Sequence, residues 1–88
     1  MNITYGQAVS RALRNVRLER GLTMREVSKR SFVSLGFISE IERASKTPSY
    51  EVLEQLFSKG LELTMHEWLS EIYAASQGKV ITNGKETL

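Results

Sequence analysis

The chain has no cysteine, a single proline and a single histidine among its 88 residues. Without cysteine there is no disulfide framework, no thiol chemistry and no thiolate metal site. The lone His66 has no histidine or carboxylate partner at metal-ligand spacing, and the serines lack a His/Asp constellation. The glycines are isolated, so the sequence has no phosphate-binding loop. These absences predict a protein that is not an enzyme and holds neither a metal nor a cofactor.

Long hydrophobic runs are also missing. The longest apolar run is Ile72-Tyr73-Ala74-Ala75, far short of the roughly 20 residues that cross a bilayer. The first residues lack the basic-then-apolar pattern of a secretion signal. A hydrophobic fraction of 41% is nevertheless typical of a globular chain. We therefore expect a soluble cytoplasmic domain, encoded by a bacterium or a phage.

Charge is unevenly distributed along the chain, although the net charge is only +2. Nine lysines and arginines stand against four glutamates from Met1 to Lys46, a balance of +5. Three stand against six from Thr47 to Leu88, a balance of −3. This asymmetry favours an N-terminal half that binds a polyanion.

The stretch from Thr23 to Arg43 carries the strongest pattern. Thr23 and Glu26 form a capping box, which predicts a helix that begins near Met24 and ends near Ser31 or Phe32. Ser34 is a second N-cap, and it precedes an apolar stripe of Phe37, Ile38 and Ile41. Two short helices joined by so tight a turn cross steeply and leave the polar side of the second one exposed. The pattern predicts a helix-turn-helix.

Three further helices complete an all-α domain of five helices. Helix 1 is predicted from Gly6 to Arg20, with Gly21 as its left-handed cap. Helix 4 is predicted from Ser49 to about Lys59, and helix 5 follows a capping box formed by Thr64 and Glu67. We place the domain at residues 1–76 and a flexible tail at residues 77–88.

The chain resembles the lambda-repressor-like Cro/CI/Xre family of DNA-binding domains from about Gln7 to Leu69. The residues that carry the likeness are Leu13-Arg14, Arg17, Gly21-Leu22-Thr23, Val33-Ser34, Ile38-Ser39-Glu40-Ile41-Glu42-Arg43 and Pro48-Ser49. Within that family, the segment from Val33 to Arg43 is similar to actinobacterial regulators of Clp protease genes.

The resemblance implies that helix 3 lies in the major groove while helix 2 crosses the DNA backbone. It places five residues at base edges: Ser34, Leu35, Gly36, Ser39 and Glu40. It places five others at phosphates: Thr23, Met24, Arg25, Arg43 and Lys46. It also implies a structural ion pair between Arg17 and Glu42. Arg11 and Arg14 of helix 1 could contact DNA or simply face solvent.

The base-facing residues are chemically unusual, because no arginine, asparagine or glutamine stands among them. Leu35 offers only apolar contact, most naturally to a thymine methyl group, whereas Glu40 either accepts from cytosine or stays in water. Gly36 costs about 1 kcal/mol of helix stability relative to alanine. It either lets the backbone approach DNA or relieves crowding. We expect modest specificity, supplemented by DNA shape.

The sequence departs from the family at three positions. Met24 stands where the family often has glutamine, whereas Phe32 and Ala44 stand where it prefers glycine.

In helix 5, Trp68, Ile72 and Tyr73 suggest a homodimer surface, although the same stripe could serve only the core of its own chain.

The function implied is a sequence-specific transcriptional regulator, a repressor, that binds operator DNA as a homodimer. One alternative is the antitoxin of a toxin–antitoxin pair, whose tail at residues 77–88 folds onto a toxin. Another is a protein–protein adaptor that has lost DNA binding.

Overall fold

A computed structural model describes residues 3–81, and the architecture is all-α. The helices are α1 (Tyr5–Glu19), α2 (Met24–Ser31), α3 (Leu35–Glu42), α4 (Tyr50–Glu54, continued by a π-helical segment, Gln55–Gly60) and α5 (Met65–Ser76). The described range contains no strand, and none of its helices is both long and apolar enough to cross a bilayer. The predicted fold class and the five helices are confirmed.

Local capping chemistry sets where the helices begin. The two predicted capping boxes form at Thr23 and Thr64, each with reciprocal hydrogen bonds between side chains and backbone amides. A third box, between Thr4 and Gln7, starts α1 at Tyr5, one residue before the predicted start. A glutamine at the third helical position completes a capping box as well as a glutamate does.

The core lies between α1 and the helices that surround it. α1 packs against α3 and α5, whereas α2 packs against the π-helical segment. Trp68 stacks on Phe57 with ring centroids 5.4 Å apart and an interplanar angle of 7°. The fully buried apolar side chains include Val9, Ala12, Leu13, Val27, Ile38, Ile41, Leu56, Phe57 and Leu61.

The end of the fourth helix differs from the prediction of a continuous α-helix. Residues Gln55–Gly60 adopt the wider π-helical turn, and the amide of Leu61 donates to the carbonyl of Leu56, five residues earlier, at 3.0 Å. A Cβ on Gly60 would lie 3.1 Å from Val27 Cγ1 on α2. Gly60 therefore permits close packing on α2, a tertiary contact that an apolar period cannot reveal.

The structure corrects the predicted dimer surface on α5. Trp68 and Ile72 are only 1% and 8% exposed, because their face of the helix belongs to the core of the same chain. Neither side chain is available to a partner, so the prediction is wrong for both. Tyr73 lies one residue further round the helix and is 68% exposed. Its place in a dimer interface remains a prediction.

The predicted tail does not begin at Gln77. The buried side chain of Asn15 donates to the carbonyl of Lys79 at 3.0 Å and accepts from the amide of Ile81 at 2.8 Å. Lys79 also donates to Glu71 on α5, which raises the pKa of its ammonium group above the usual value. Residues 79–81 are thus tied to α1. Residues 82–88 of the predicted tail lie outside the described residues.

The turn between α2 and α3 has strained backbone geometry. Phe32 is left-handed with φ 62° and its side chain is 84% exposed. The turn is closed by Ser28, whose hydroxyl donates to the Val33 carbonyl, and by Ser31, whose hydroxyl accepts from the Val33 amide. Ala44, after α3, is also left-handed with φ 59°. Both positions where the family prefers glycine therefore have the backbone conformation that favours glycine.

Replacing Phe32 by glycine should stabilise the fold. A left-handed residue with a Cβ costs about 1–2 kcal/mol, partly offset by the greater freedom of glycine in the unfolded chain, about 0.4–1 kcal/mol. The net gain should raise Tm by about 2–6 °C in a thermal melt. Phe32→Ala is the control, because it removes the exposed ring but keeps the Cβ. Equal melting temperatures for the two variants would show that the strain does not come from the Cβ.

Candidate nucleic-acid interface

α3 is amphipathic, and its burial decides which side faces outward. Ile38 and Ile41 are fully buried, which fixes the inner side of the helix. Ser34 and Gly36 at its start are exposed, as is Arg43 directly after its last turn. The surface that the resemblance assigns to bases is therefore accessible at its N-terminal end.

A buried ion pair fixes the other end of α3 to α1. Arg17 Nε donates to Glu42 Oε2 at 2.7 Å and Arg17 Nη2 donates to Glu42 Oε1 at 2.9 Å. The two side chains are 8% and 7% exposed. Arg17 Nη1 also donates to the carbonyl of Leu22, directly before α2, at 2.9 Å. The predicted structural pair is present, and it joins α1, α3 and the start of the helix-turn-helix.

Ser10 is a positioning residue that sequence reasoning missed. Its hydroxyl donates to the backbone carbonyl of Glu42 at 2.6 Å, and Ser10 is 6% exposed. The carbonyls of the last helical turn lack partners within the helix, so this bond caps the end of α3. Ser10 lies seven residues before Arg17, on the same side of α1. Because Arg17 was predicted to pair with Glu42, this spacing could have placed Ser10 near the end of α3.

The start of α2 offers backbone amides to an anion, although fewer than predicted. The amide of Thr23 donates to Glu26 Oε1 at 2.8 Å and is therefore engaged. This hydrogen bond, with that to the Thr23 hydroxyl, lowers the pKa of Glu26 below its usual value, so its carboxylate stays charged at neutral pH. The next amides, of Met24 and Arg25, lie in the first turn, where a helix supplies no acceptor of its own.

Two predicted phosphate contacts meet in one cleft. Met24 and Arg43 line an open cleft of about 250 Å³ between α1, α2 and α3, together with Arg14, Arg17, Ser39 and Glu42. The guanidinium of Arg43 donates to the Ser39 hydroxyl, one helical turn earlier. Arg14 is half-buried here, so it is not a freely solvated residue. The cleft joins the amide end of α2 to the cationic end of α3.

Lys46 is not among the residues that line this cleft. Its Nζ lies 3.9 Å from Glu40 Oε2, and the two side chains are 59% and 37% exposed. A pair this exposed contributes little to stability. It does place a positive charge beside Glu40, the one acidic residue that the resemblance places at base edges.

Arg25, the remaining residue predicted to contact phosphate, is exposed at the start of α2.

The polar members of the base-facing set all have intramolecular partners. The Ser34 hydroxyl accepts from the amide of Phe37 at 3.2 Å, Ser39 accepts from Arg43, and Glu40 lies near Lys46. Leu35 is half-buried and Gly36 is exposed, and neither has a polar side-chain atom. The exposed start of α3 therefore carries one polar side chain, that of Ser34, beside the apolar Leu35 and Gly36.

Comparison with known proteins identifies relatives of the same architecture. A family model described as helix-turn-helix matches residues 13–59. The transcriptional regulator ClgR of Mycobacterium tuberculosis (strain CDC 1551 / Oshkosh) is 48% identical over 50 residues, which are 57% of this chain and 45% of that protein. The chain thus spans less than half the length of the curated relative it matches.

Solved structures extend the likeness over most of the chain. A mutant of the restriction-modification controller protein C.Esp1396I superposes with a TM-score of 0.80 at 28% identity, covering 89% of this chain and 98% of that one. The clp gene regulator ClgR of Corynebacterium glutamicum superposes with a TM-score of 0.77 at 31% identity, covering 88% and 81%. The predicted resemblance, including the narrower one, is confirmed.

Removing one partner of the Arg17–Glu42 pair should destabilise the protein strongly. Glu42→Gln removes the negative charge that accepts two hydrogen bonds from the buried Arg17 guanidinium, which should lower the free energy of unfolding by about 3 kcal/mol. Urea unfolding followed by the fluorescence of the buried Trp68 measures this.

The double variant Arg17→Met with Glu42→Leu is the control, since apolar residues of similar size restore most of the stability when a buried pair is replaced whole. A Glu42→Gln protein that unfolds at the same urea concentration as the unaltered chain would contradict a net role for the pair.

Proposed function

This chain belongs to the helix-turn-helix family of the Cro/CI/Xre type, and on that premise we propose that it is a transcriptional repressor that binds operator DNA as a homodimer. The observation that carries the proposal is α3, whose inner side is buried while its start remains accessible beside a cationic cleft. The names of its relatives, a transcriptional regulator and a controller protein, support the same class.

The arrangement of the accessible groups suits double-stranded DNA. α3 enters the major groove with its start at the base edges, and α2 crosses the backbone. The amides of Met24 and Arg25 and the side chain of Arg43 bind phosphates on either side of α3. Lys46 reaches a further phosphate or screens Glu40 from the negative backbone. The positive balance of the first 46 residues draws the domain to DNA.

Base readout in this proposal combines one acidic and two apolar residues. Glu40 accepts from the amino group of cytosine, while Leu35 and Gly36 contact thymine. No bidentate arginine, asparagine or glutamine contact is available from this set. Intrinsic specificity is therefore modest, and sequence-dependent DNA shape supplies part of the discrimination.

Self-association uses a stripe of α5 that differs from the predicted one. Met65, Leu69 and Tyr73 lie four residues apart on one side of the helix and are 53%, 46% and 68% exposed. Tyr50 is 48% exposed beside them, with its hydroxyl 3.9 Å from the sulfur of Met65. A second copy related by a two-fold axis covers this apolar stripe and places two α3 helices at half-sites about 34 Å apart. Occlusion of DNA by such a dimer is our basis for proposing repression.

Arg43→Ala should weaken binding to every DNA sequence and reduce the salt dependence. Loss of one phosphate contact lowers the magnitude of the slope of log K against log salt by about one. Fluorescence anisotropy with random and selected duplexes, titrated across salt concentrations, measures this slope. Lys59→Ala is the control, because it removes the same charge from an exposed site on the π-helical segment.

Two results would contradict this scheme. An unchanged slope for Arg43→Ala would remove Arg43 from the phosphate contacts. Negligible binding of the unaltered protein to any duplex at low salt would overturn the DNA-binding proposal and favour a protein–protein adaptor.

The double variant Leu69→Glu with Tyr73→Asp should convert a dimer to a monomer that remains folded. Both side chains are exposed, so the added charges oppose association but not folding. Sedimentation velocity gives the mass, and circular dichroism reports the helix content. Ile72→Asp is the contrasting variant, because it places a charge at a buried position and should unfold the domain. An unaltered protein that sediments as a monomer at high concentration would contradict the dimer.

A further inference from the structure

The glycines of residues 3–81 are explained by the fold, with one exception. Gly21 and Gly78 have positive φ, 67° and 104°. A Cβ on Gly6 would lie 2.7 Å from a threonine hydroxyl oxygen, and one on Gly60 would lie 3.1 Å from a valine methyl group. A Cβ on Gly36 would have no neighbour within 4 Å, and Gly36 has no left-handed φ. Among residues 3–81, no neighbouring atom prevents a side chain at that position.

This glycine is nevertheless costly where it stands. Gly36 lies in the first turn of an eight-residue helix, where glycine is less stable than alanine by up to about 1 kcal/mol. The sequence allowed two explanations for it, relief of crowding or close approach to DNA. Because open space surrounds the missing Cβ, crowding is excluded. Packing among residues 3–81 therefore does not account for the glycine, whereas a molecule that approaches α3 from outside would.

The surroundings of Gly36 indicate what that molecule presents. Its neighbour Leu35 is apolar and half-buried, and the hydroxyl of Ser34 is engaged in capping the helix. The apolar side chain of Leu35 matches the one apolar group in the major groove, the C5-methyl of thymine.

We propose that Gly36 is a specificity-determining residue, whose missing side chain leaves the space beside Leu35 that a thymine methyl group occupies in the operator. This inference rests on the proposed function, since it requires α3 to lie in the major groove. Carbon atoms in contact lie about 3.5–4.0 Å apart, so a methyl group against the Cα fills the volume that a Cβ would take. The helix is less stable in exchange for this contact.

The first test compares the unaltered protein with Gly36→Ala on an operator selected from random duplexes by the unaltered protein. Gly36→Ala should raise Tm by about 2–5 °C, because no atom of residues 3–81 lies within 4 Å of the added methyl group. It should weaken operator binding by about tenfold while affinity for random duplex stays the same. A more stable variant that binds less tightly cannot owe its defect to unfolding. Gly60→Ala is the matched control and should lower Tm.

The second test removes the methyl group from the DNA instead. Each thymine of the operator is replaced in turn by deoxyuridine, which keeps the base pairing but lacks the C5-methyl. At one thymine per half-site, the unaltered protein should lose about fourfold in affinity, the worth of one buried methyl group. When that thymine is replaced in both half-sites together, Gly36→Ala should regain most of its lost affinity, because the Cβ of each subunit then occupies the vacated space.

Three results would overturn the inference while leaving the proposed function intact. They are a Gly36→Ala protein with a lowered Tm, one that binds the operator as tightly as the unaltered protein, and a failure of every deoxyuridine substitution to restore its binding. Failure of the unaltered protein to bind any duplex would instead overturn the proposed function, and the inference with it.

Discussion

The buried pair between Arg17 and Glu42 is the interaction on which the arrangement of α1, α2 and α3 depends. Its two hydrogen bonds tie the middle of α1 to the end of α3, and the third donor of Arg17 holds the carbonyl of Leu22 directly before α2. Buried pairs of this kind often add little net stability, since desolvation opposes the attraction. Their geometry is restrictive, however. Here it fixes both helices of the helix-turn-helix, α2 and α3, relative to α1.

Two of the three non-glycine residues with positive φ among residues 3–81 flank the helix that the pair positions, and the third, Glu62, lies before α5. Phe32 before α3 and Ala44 after it are both left-handed, and Gly36 weakens its first turn. Non-glycine residues in this conformation persist only where the surrounding structure determines them. Here α3 is held in place by the burial of Ile38 and Ile41 and by the hydrogen bond from Ser10 to its last turn.

The sequence predicted local features better than distant ones. The capping boxes of α2 and α5 were predicted because both partners stand within three residues of each other. The clamp of Asn15 on residues 79–81 spans more than sixty residues, and nothing in either segment indicates it. On α5 the apolar residues are spread over two faces. Their period alone could not decide whether Trp68 and Ile72, or Leu69 and Tyr73, would be buried.

The sequence by itself determined the five helices, the tight turn between α2 and α3 and the amphipathic character of these two helices. These depend on hydrogen bonds between near neighbours and on apolar spacing, which are properties of a local segment. Resemblance to a family added the ion pair. Only the tertiary structure decided that Gly60 packs on α2, that Ile72 is buried and that Gly36 has open space around it. Each of these depends on which atoms of distant segments come together, because exclusion of water and steric contact act between surfaces and not along the chain.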